Sequence, residues 1–316
     1  MILIYSHDIE FATTKVLEWI HYYGGQFARI NNGSFNEGNL FSFTIGNDEN
    51  RLRVDEQEVT SYWYRRSKIP GTSIENKNWS LSLKLSINNH LKSELIALNN
   101  GIATCSKRIN SLSHPATSKS EKINDLIEAS NVGLTIPPSI VTNKKSELLK
   151  FINNHGDVIV KNIGNAIPHY INNRIYSTYT SSINEKDIIN YPDKIFPAMF
   201  QKKIKKKLEI RSFIVKNDIY SAALFSQQHK KTSTDYRKYT SSNPIRITPY
   251  KLPHKIEQKI LNLMKNLRLD TGSIDLIRSE DDFIFLEVNP VGQFGWISSP
   301  CNYHLEKKIA ENILEL

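Results

Sequence analysis

The stretch Gly272–Trp296 reads GSIDLIRSEDDFIFLEVNPVGQFGW. Two apolar runs, GSIDLIR and FIFLEVN, flank the polar segment SEDD, which is the pattern of a β-hairpin. Each run carries one acid, Asp275 in the first and Glu287 in the second. A hairpin centred on Asp281 makes these acids direct cross-strand neighbours with Cβ atoms roughly 5 Å apart, and like charges placed so repel. A bound cation is the simplest compensation. Strand alternation puts Asn289 on the face of Glu287, so three oxygen-bearing groups converge. A set with no His or Cys suits magnesium shared with substrate phosphates. Two solvent-facing acids on a half-exposed hairpin account for the spacing as well, and a one-residue slip of register would separate them.

Cations for such phosphates lie upstream. Lys122 opens a helical segment, and Lys161 ends the strand-like run DVIVK. In Glu209-Ile210-Arg211, alternation places an acid and a guanidinium on one strand face, and the arginine fork suits phosphate or carboxylate. Its simpler role is a cross-strand ion pair. Five lysines between Lys202 and Lys207, interrupted by Ile204, suit an acidic peptide or are a solvated basic turn. Arg65 and Arg66 could hold a carboxylate, although two arginines after an aromatic strand are more often ion-paired.

The rest of the chain supplies an α/β scaffold. MILIY reads as a core strand, and Val16, Trp19, Ile20 and Tyr23 follow at helical spacing before Gly24-Gly25. QFARI and VTSYWYRR (59–66) add strands, and NSLSHPATSKS (110–120) suits a linker. From Glu121 a helix should turn Ile123, Leu126 and Ile127 inward and stop at Gly133, before Pro137-Pro138 extends the chain. A second helix, SELLKFINN, leads into DVIVK. Residues 162–182, rich in Asn and Tyr, read as an active-site loop or a plain surface hairpin. A helix over 254–268 carries Ile256, Ile260, Leu263 and Leu267 on one face.

Composition bounds the class. The chain has 316 residues, 39% of them hydrophobic and 23% charged, which predicts a soluble protein of two or three domains. No window approaches a membrane span, and MILIYSHDIE lacks the features of a signal peptide. Two distant cysteines, Cys105 and Cys301, indicate neither disulfide framework nor zinc site and point to a reducing cytoplasm. The formal charge of +9 favours acidic partners without choosing among nucleotide, nucleic acid and acidic peptide.

The order Lys122, Lys161, a hinge strand at MFQKKI, Glu209-x-Arg211, Asp275, Glu287 and Asn289 resembles the ATP-grasp fold. Asn289-Pro290-x-Gly292-Gln293 with Trp296, Trp63-x-Arg65-Arg66 and Asp235-x-Arg237 are similar to graspetide synthetases of the grasp-with-spasm type, which form macrocycles in ribosomal precursor peptides. The segment after Lys161 departs from the pattern: it holds Gly164 but no glycine-rich phosphate loop.

The resemblance implies an α/β (α+β) chain with a Rossmann-like pre-ATP-grasp domain at 1–115. A central ATP-grasp subdomain then covers 116–200, and a C-terminal subdomain with the magnesium site covers 201–316. It implies ATP and Mg²⁺ as cofactors, with magnesium on Asp275, Glu287 and Asn289. Lys122, Lys161, Gln201, Ile204 and Glu287 would bind ATP, and Arg211 and Asn289 would be catalytic. ATP would phosphorylate an Asp or Glu side chain of a cytoplasmic precursor peptide, and a Thr or Ser hydroxyl or a Lys amine would then displace phosphate. A homodimer is compatible with it; nucleic-acid and membrane partners are not expected. Two other readings stay open: a ribosomal-protein-type glutamate ligase acting on termini, and a non-catalytic basic nucleic-acid-binding protein, which leaves the convergent acids unexplained.

Overall fold

The apolar opening run becomes the buried strand Ile2–Ser6, the centre of a four-stranded sheet in a computed structural model of the chain. That model describes residues 1–31, 41–47, 50–66, 78–106, 109–115, 117–119, 121–164, 169–172, 174–176, 180–228, 245–280 and 282–315. The expected Asp235-x-Arg237 motif lies outside them. Two compact units are present: Met1–Lys119 with Leu269–Thr271 and Gln293–Leu316, and Ser120–Arg268 with Gly272–Gly292.

In the first unit the sheet runs Phe27–Asn31, Ile2–Ser6, Ser61–Tyr64, Asn110–Leu112, with all pairs parallel. A parallel sheet covered on both faces needs a continuous apolar strand, as Ile2–Tyr5 provides. Asn110–Leu112, expected within a linker, is the edge strand. Helix Phe11–Tyr22 buries Thr13, Val16, Leu17 and Ile20; Trp19 and Tyr23 reach only half-burial. The closing helix Leu305–Leu314 packs against it. Arg65 is structural here: its Nη2 lies 3.2 Å from Glu10 Oε1 and its guanidinium 5.0 Å over the Phe294 ring.

The second unit holds two larger sheets beside a two-stranded hairpin among the described residues. One runs Ser181–Ile183, Val158–Lys161, Lys194–Lys202, Ser139–Lys144 and is antiparallel throughout. Helix Lys145–His155 covers it with Leu148, Phe151 and Ile152. The other runs Ile247–Tyr250, Asp218–Leu224, Leu208–Val215, Thr271–Arg278, Phe283–Asn289. Helix His254–Asn266 buries Ile260, Leu263 and Met264, so the inward face is shifted from the predicted Ile256 and Leu267. Helix Lys122–Asn131 ends as expected at Gly133, whose φ of +78° lets the Leu134 N–H return to the Ala129 carbonyl at 2.9 Å. Within 162–182 the strands His169–Ile171 and Arg174–Tyr176 form a hairpin.

The Asn289-Pro290-Val291-Gly292 turn lies against the second sheet. A Cβ on Gly292 would fall onto Ser273 Oγ and Cβ and lie 3.0 Å from the Asn289 carbonyl, with strand backbone on one side and a buried serine on the other. Gly292→Ala should therefore destabilise the fold by about 1–3 kcal/mol, read as a lowered melting temperature. Gly164→Ala, where an added Cβ meets nothing within 4 Å, should leave it unchanged.

Candidate active site

The hairpin pairs the two acids, but not by the symmetric route. At its end the Ser279 N–H donates to the Asp282 carbonyl at 2.9 Å. From there Arg278 faces Phe283, Ile277 faces Ile284 and Leu276 faces Phe285. The register then shifts, and Asp275 faces Glu287, Ile274 faces Val288 and Ser273 faces Asn289. Leu286 is the extra residue of a β-bulge. Without the bulge Asp275 would oppose Leu286, and Glu287 would turn to the other face.

Arg211, on the neighbouring strand Leu208–Val215, donates from Nη1 to both Asp275 oxygens, at 2.8 and 2.7 Å. These side chains are only 7% and 14% exposed. Burial pushes the Asp275 carboxyl up to about 6; Arg211 opposes the rise, and Glu287 and then Glu209 add to it. The sequence placed Arg211 at phosphate or carboxylate; here it holds a carboxylate of its own chain.

A further acid escaped the sequence reading. Asp125, one turn from Lys122, is 3% exposed, and its Oδ2 has no hydrogen-bond partner. Burial, then the charges of Glu121 and Glu287, raise its carboxyl to about 7. Ile123 and Ile127, expected inward, are 43% and 53% exposed, and the buried stripe is Asp125, Leu126 and Ala129. The signal available was Ala129 four residues after Asp125, a small residue that lets this face approach the hairpin strand Phe283–Asn289.

Lys122 reaches the end of the Lys161 strand: its Nζ donates to the carbonyls of Asn162 at 2.9 Å and Gly164 at 3.4 Å. Lys161 is half-buried and faces Met199 across the sheet. Gln201 lies between Ile159 and Ser139 on the two flanking strands and is 1% exposed. Its Nε2 donates to Ser139 Oγ at 2.9 Å, and Ser139 gives its own proton to the Pro137 carbonyl at 2.7 Å. This chain fixes the amide and leaves Gln201 Oε1 a buried acceptor without a partner. Ile204 follows, half-buried, in a stretch without regular structure.

Lys122, Lys161 and Gln201 thus gather at the first sheet, and Arg211, Asp275, Glu287 and Asn289 at the second. Helix Lys122–Asn131, packed on the hairpin, connects them. Among the described residues no group of three or more His, Cys, Asp or Glu side chains is placed to hold a metal. The oxygen set of two opposed acids and an amide fits magnesium completed by phosphates rather than a cage made of protein alone. No helix of the described residues is long and apolar enough to cross a membrane.

Asp125 offers a test of this electrostatic picture. Its folded-state pKa lies above the ordinary value of 3.8, so the folded state binds the proton more tightly and this group's contribution to stability falls as pH rises from about 4 to 7. Asp125→Asn should raise stability at pH 8 by on the order of a few kcal/mol. The gain should vanish below pH 4, as measured by denaturant unfolding across pH.

No family model matches the chain, and no curated protein does. Solved structures do, over its whole length. A RiPP-associated ATP-grasp ligase from Chryseobacterium gregarium, solved with ADP and a leader and core peptide, is 28% identical with TM-score 0.84, covering 99% of this chain and 96% of that one. Macrocyclase MdnC from Microcystis aeruginosa MRC, bound with precursor peptide MdnA, is 24% identical with TM-score 0.80, and each chain is covered completely. ATP-grasp ligase PsnB, complexed with minimal precursor, Mg and ADP, is 14% identical with TM-score 0.79, covering 99% of this chain and 96% of that one. Over its full length the chain thus has the fold of RiPP-associated ATP-grasp ligases, the group to which these structural neighbours belong.

Proposed function

We propose that the protein activates an Asp or Glu side chain of a ribosomally made precursor peptide with ATP and closes it into a macrocycle. The carboxylate attacks the γ-phosphorus, ADP leaves, and an acyl phosphate results. A Thr or Ser hydroxyl, or a Lys amine, then adds to the acyl carbon; the C–O bond to phosphate breaks, inorganic phosphate departs, and the nucleophile's proton is released. The observation that carries this reading is the forced opposition of Asp275 and Glu287 beside Arg211 and Asn289.

The chain's own groups divide the work. Asp275, Glu287 and Asn289 would hold magnesium, which when bound neutralises phosphate charge during transfer. Lys122 and Lys161 bring further positive charge to the phosphates. Arg211, already a carboxylate ligand, suits the acid to be activated. The unpartnered Gln201 Oε1 calls for a donor, which the amino group of adenine supplies, with Ile204 packing nearby. In this reading 116–200 and 201–316 are the central and C-terminal ATP-grasp subdomains after a 1–115 domain, and the enzyme acts in the cytoplasm, with a homodimer compatible. The lysine run suits an acidic precursor. A nucleic-acid-binding role would explain the +9 charge but not the acid pair.

The test is incubation with ATP, Mg²⁺ and a short Thr-, Ser-, Asp- and Glu-rich peptide encoded beside the gene. The peptide should lose one water per ring by mass. A gain of mass that requires free glutamate would instead identify a glutamate-adding ligase. Glu287→Gln should abolish the water loss without lowering the melting temperature, because it removes a metal ligand and relieves repulsion with Asp275.

A further inference from the structure

Five lysines between Lys202 and Lys207 look alike in sequence, but the fold separates them. Lys202, Lys203, Lys205 and Lys207 are exposed. Lys207 pairs with Glu280 at 2.9 Å in a solvent-facing contact, and Lys203 donates to Ser182 Oγ at 3.1 Å. Lys206 turns inward: its side chain is 7% exposed, and its Nζ lies 2.5 Å from Oε1 of Glu209, whose side chain is 10% exposed.

A second donor converges on the same oxygen. Ser226, buried at 1% exposure, donates from Oγ to Glu209 Oε1 at 2.6 Å. One oxygen of the carboxylate is thus held by a cation and a hydroxyl, which fixes the plane of the group. By alternation Glu209 shares a strand face with Arg211, whose Nη1 is clamped on Asp275. Glu287 and Glu209 both act on the Asp275 carboxyl, and Arg211 and Lys206 bring positive charge to this face. A buried carboxylate left without such partners carries a large desolvation cost.

We propose that Lys206, with Ser226, is a positioning residue: it holds the Glu209 carboxylate oriented on the face of Asp275 and Arg211, with Oε2 presented to the reacting groups. Lys206 is thereby withdrawn from the basic run, and only its exposed neighbours recruit the acidic peptide. This inference rests on the ligase reading above.

The experiment is a double-mutant cycle with Lys206→Met, Glu209→Gln and both together, following water loss from the precursor. Lys206→Met should lower kcat roughly 10–100-fold while the peptide KM and its salt dependence stay as in wild type. Lys206→Arg should recover much of the rate, and the double variant should be no slower than Glu209→Gln alone. Lys205→Ala should instead raise KM in a salt-dependent way. A raised, salt-dependent KM with unchanged kcat in Lys206→Met, or fully additive losses in the cycle, would overturn the clamp.

Inertness of the wild-type enzyme on the precursor would count against the ligase reading and not against the clamp. The clamp is then decided by thermal unfolding: Lys206→Met should lower the melting temperature, and adding Glu209→Gln should restore it. Additive melting losses would overturn it equally. Ser226→Ala, which leaves the ion pair intact, gives a smaller loss of the same sign and serves if Lys206→Met does not fold.

Discussion

Two carboxylates directly across a half-buried hairpin set the terms for the rest of the second unit. Unit charges roughly 5 Å apart at an effective dielectric near 20 repel by about 3 kcal/mol, a large share of a domain's net stability. Either a proton or a cation must relieve this. Burial, with a smaller contribution from Glu287, pushes the Asp275 carboxyl up to about 6, and Arg211 takes both its oxygens. Glu287 acts electrostatically on both Asp125 and Asp275. The strand reaches this opposition through a bulge, and a cation bound between the two acids would relieve their repulsion.

The same economy runs outward from the pair. Asp125 presents a third acid from the helix that also carries Lys122, so one element links that lysine to the acid face. Lys206 and Ser226 settle a fourth carboxylate, Glu209, on the strand that delivers Arg211. On the other sheet Gln201 is held by a relay through Ser139 to Pro137, which leaves an acceptor open. Buried polar atoms are ordinarily satisfied, and an amide so fixed with one atom unpaired is shaped for a ligand.

Much of this was legible in the sequence. Alternation and hairpin symmetry put Asp275 opposite Glu287, and Gly133 marked a helix end, because both depend on local backbone geometry. The bulge at Leu286 was not legible: Arg278 faces Phe283, one residue off the register that a centre at Asp281 requires, and the bulge restores the pairing of the acids. Asp125 was missed because apolar periodicity favoured Ile123 and Ile127, whereas packing on the hairpin selected the narrower face with Ala129. Arg65 read as an ion-paired arginine without a named partner and Lys206 as one of a basic run, because Glu10 and Glu209 meet them only through tertiary packing or a turn that sequence spacing does not fix.

The central claim, that the opposed acids form a metal-dependent nucleotide site, is tested most directly by calorimetric titration of ADP without peptide, in the presence and absence of Mg²⁺. Wild-type protein should bind ADP more tightly with the metal, and Asp275→Asn should lose that enhancement while keeping its metal-free affinity. Equal enhancement by Mg²⁺ in the two proteins would contradict the account.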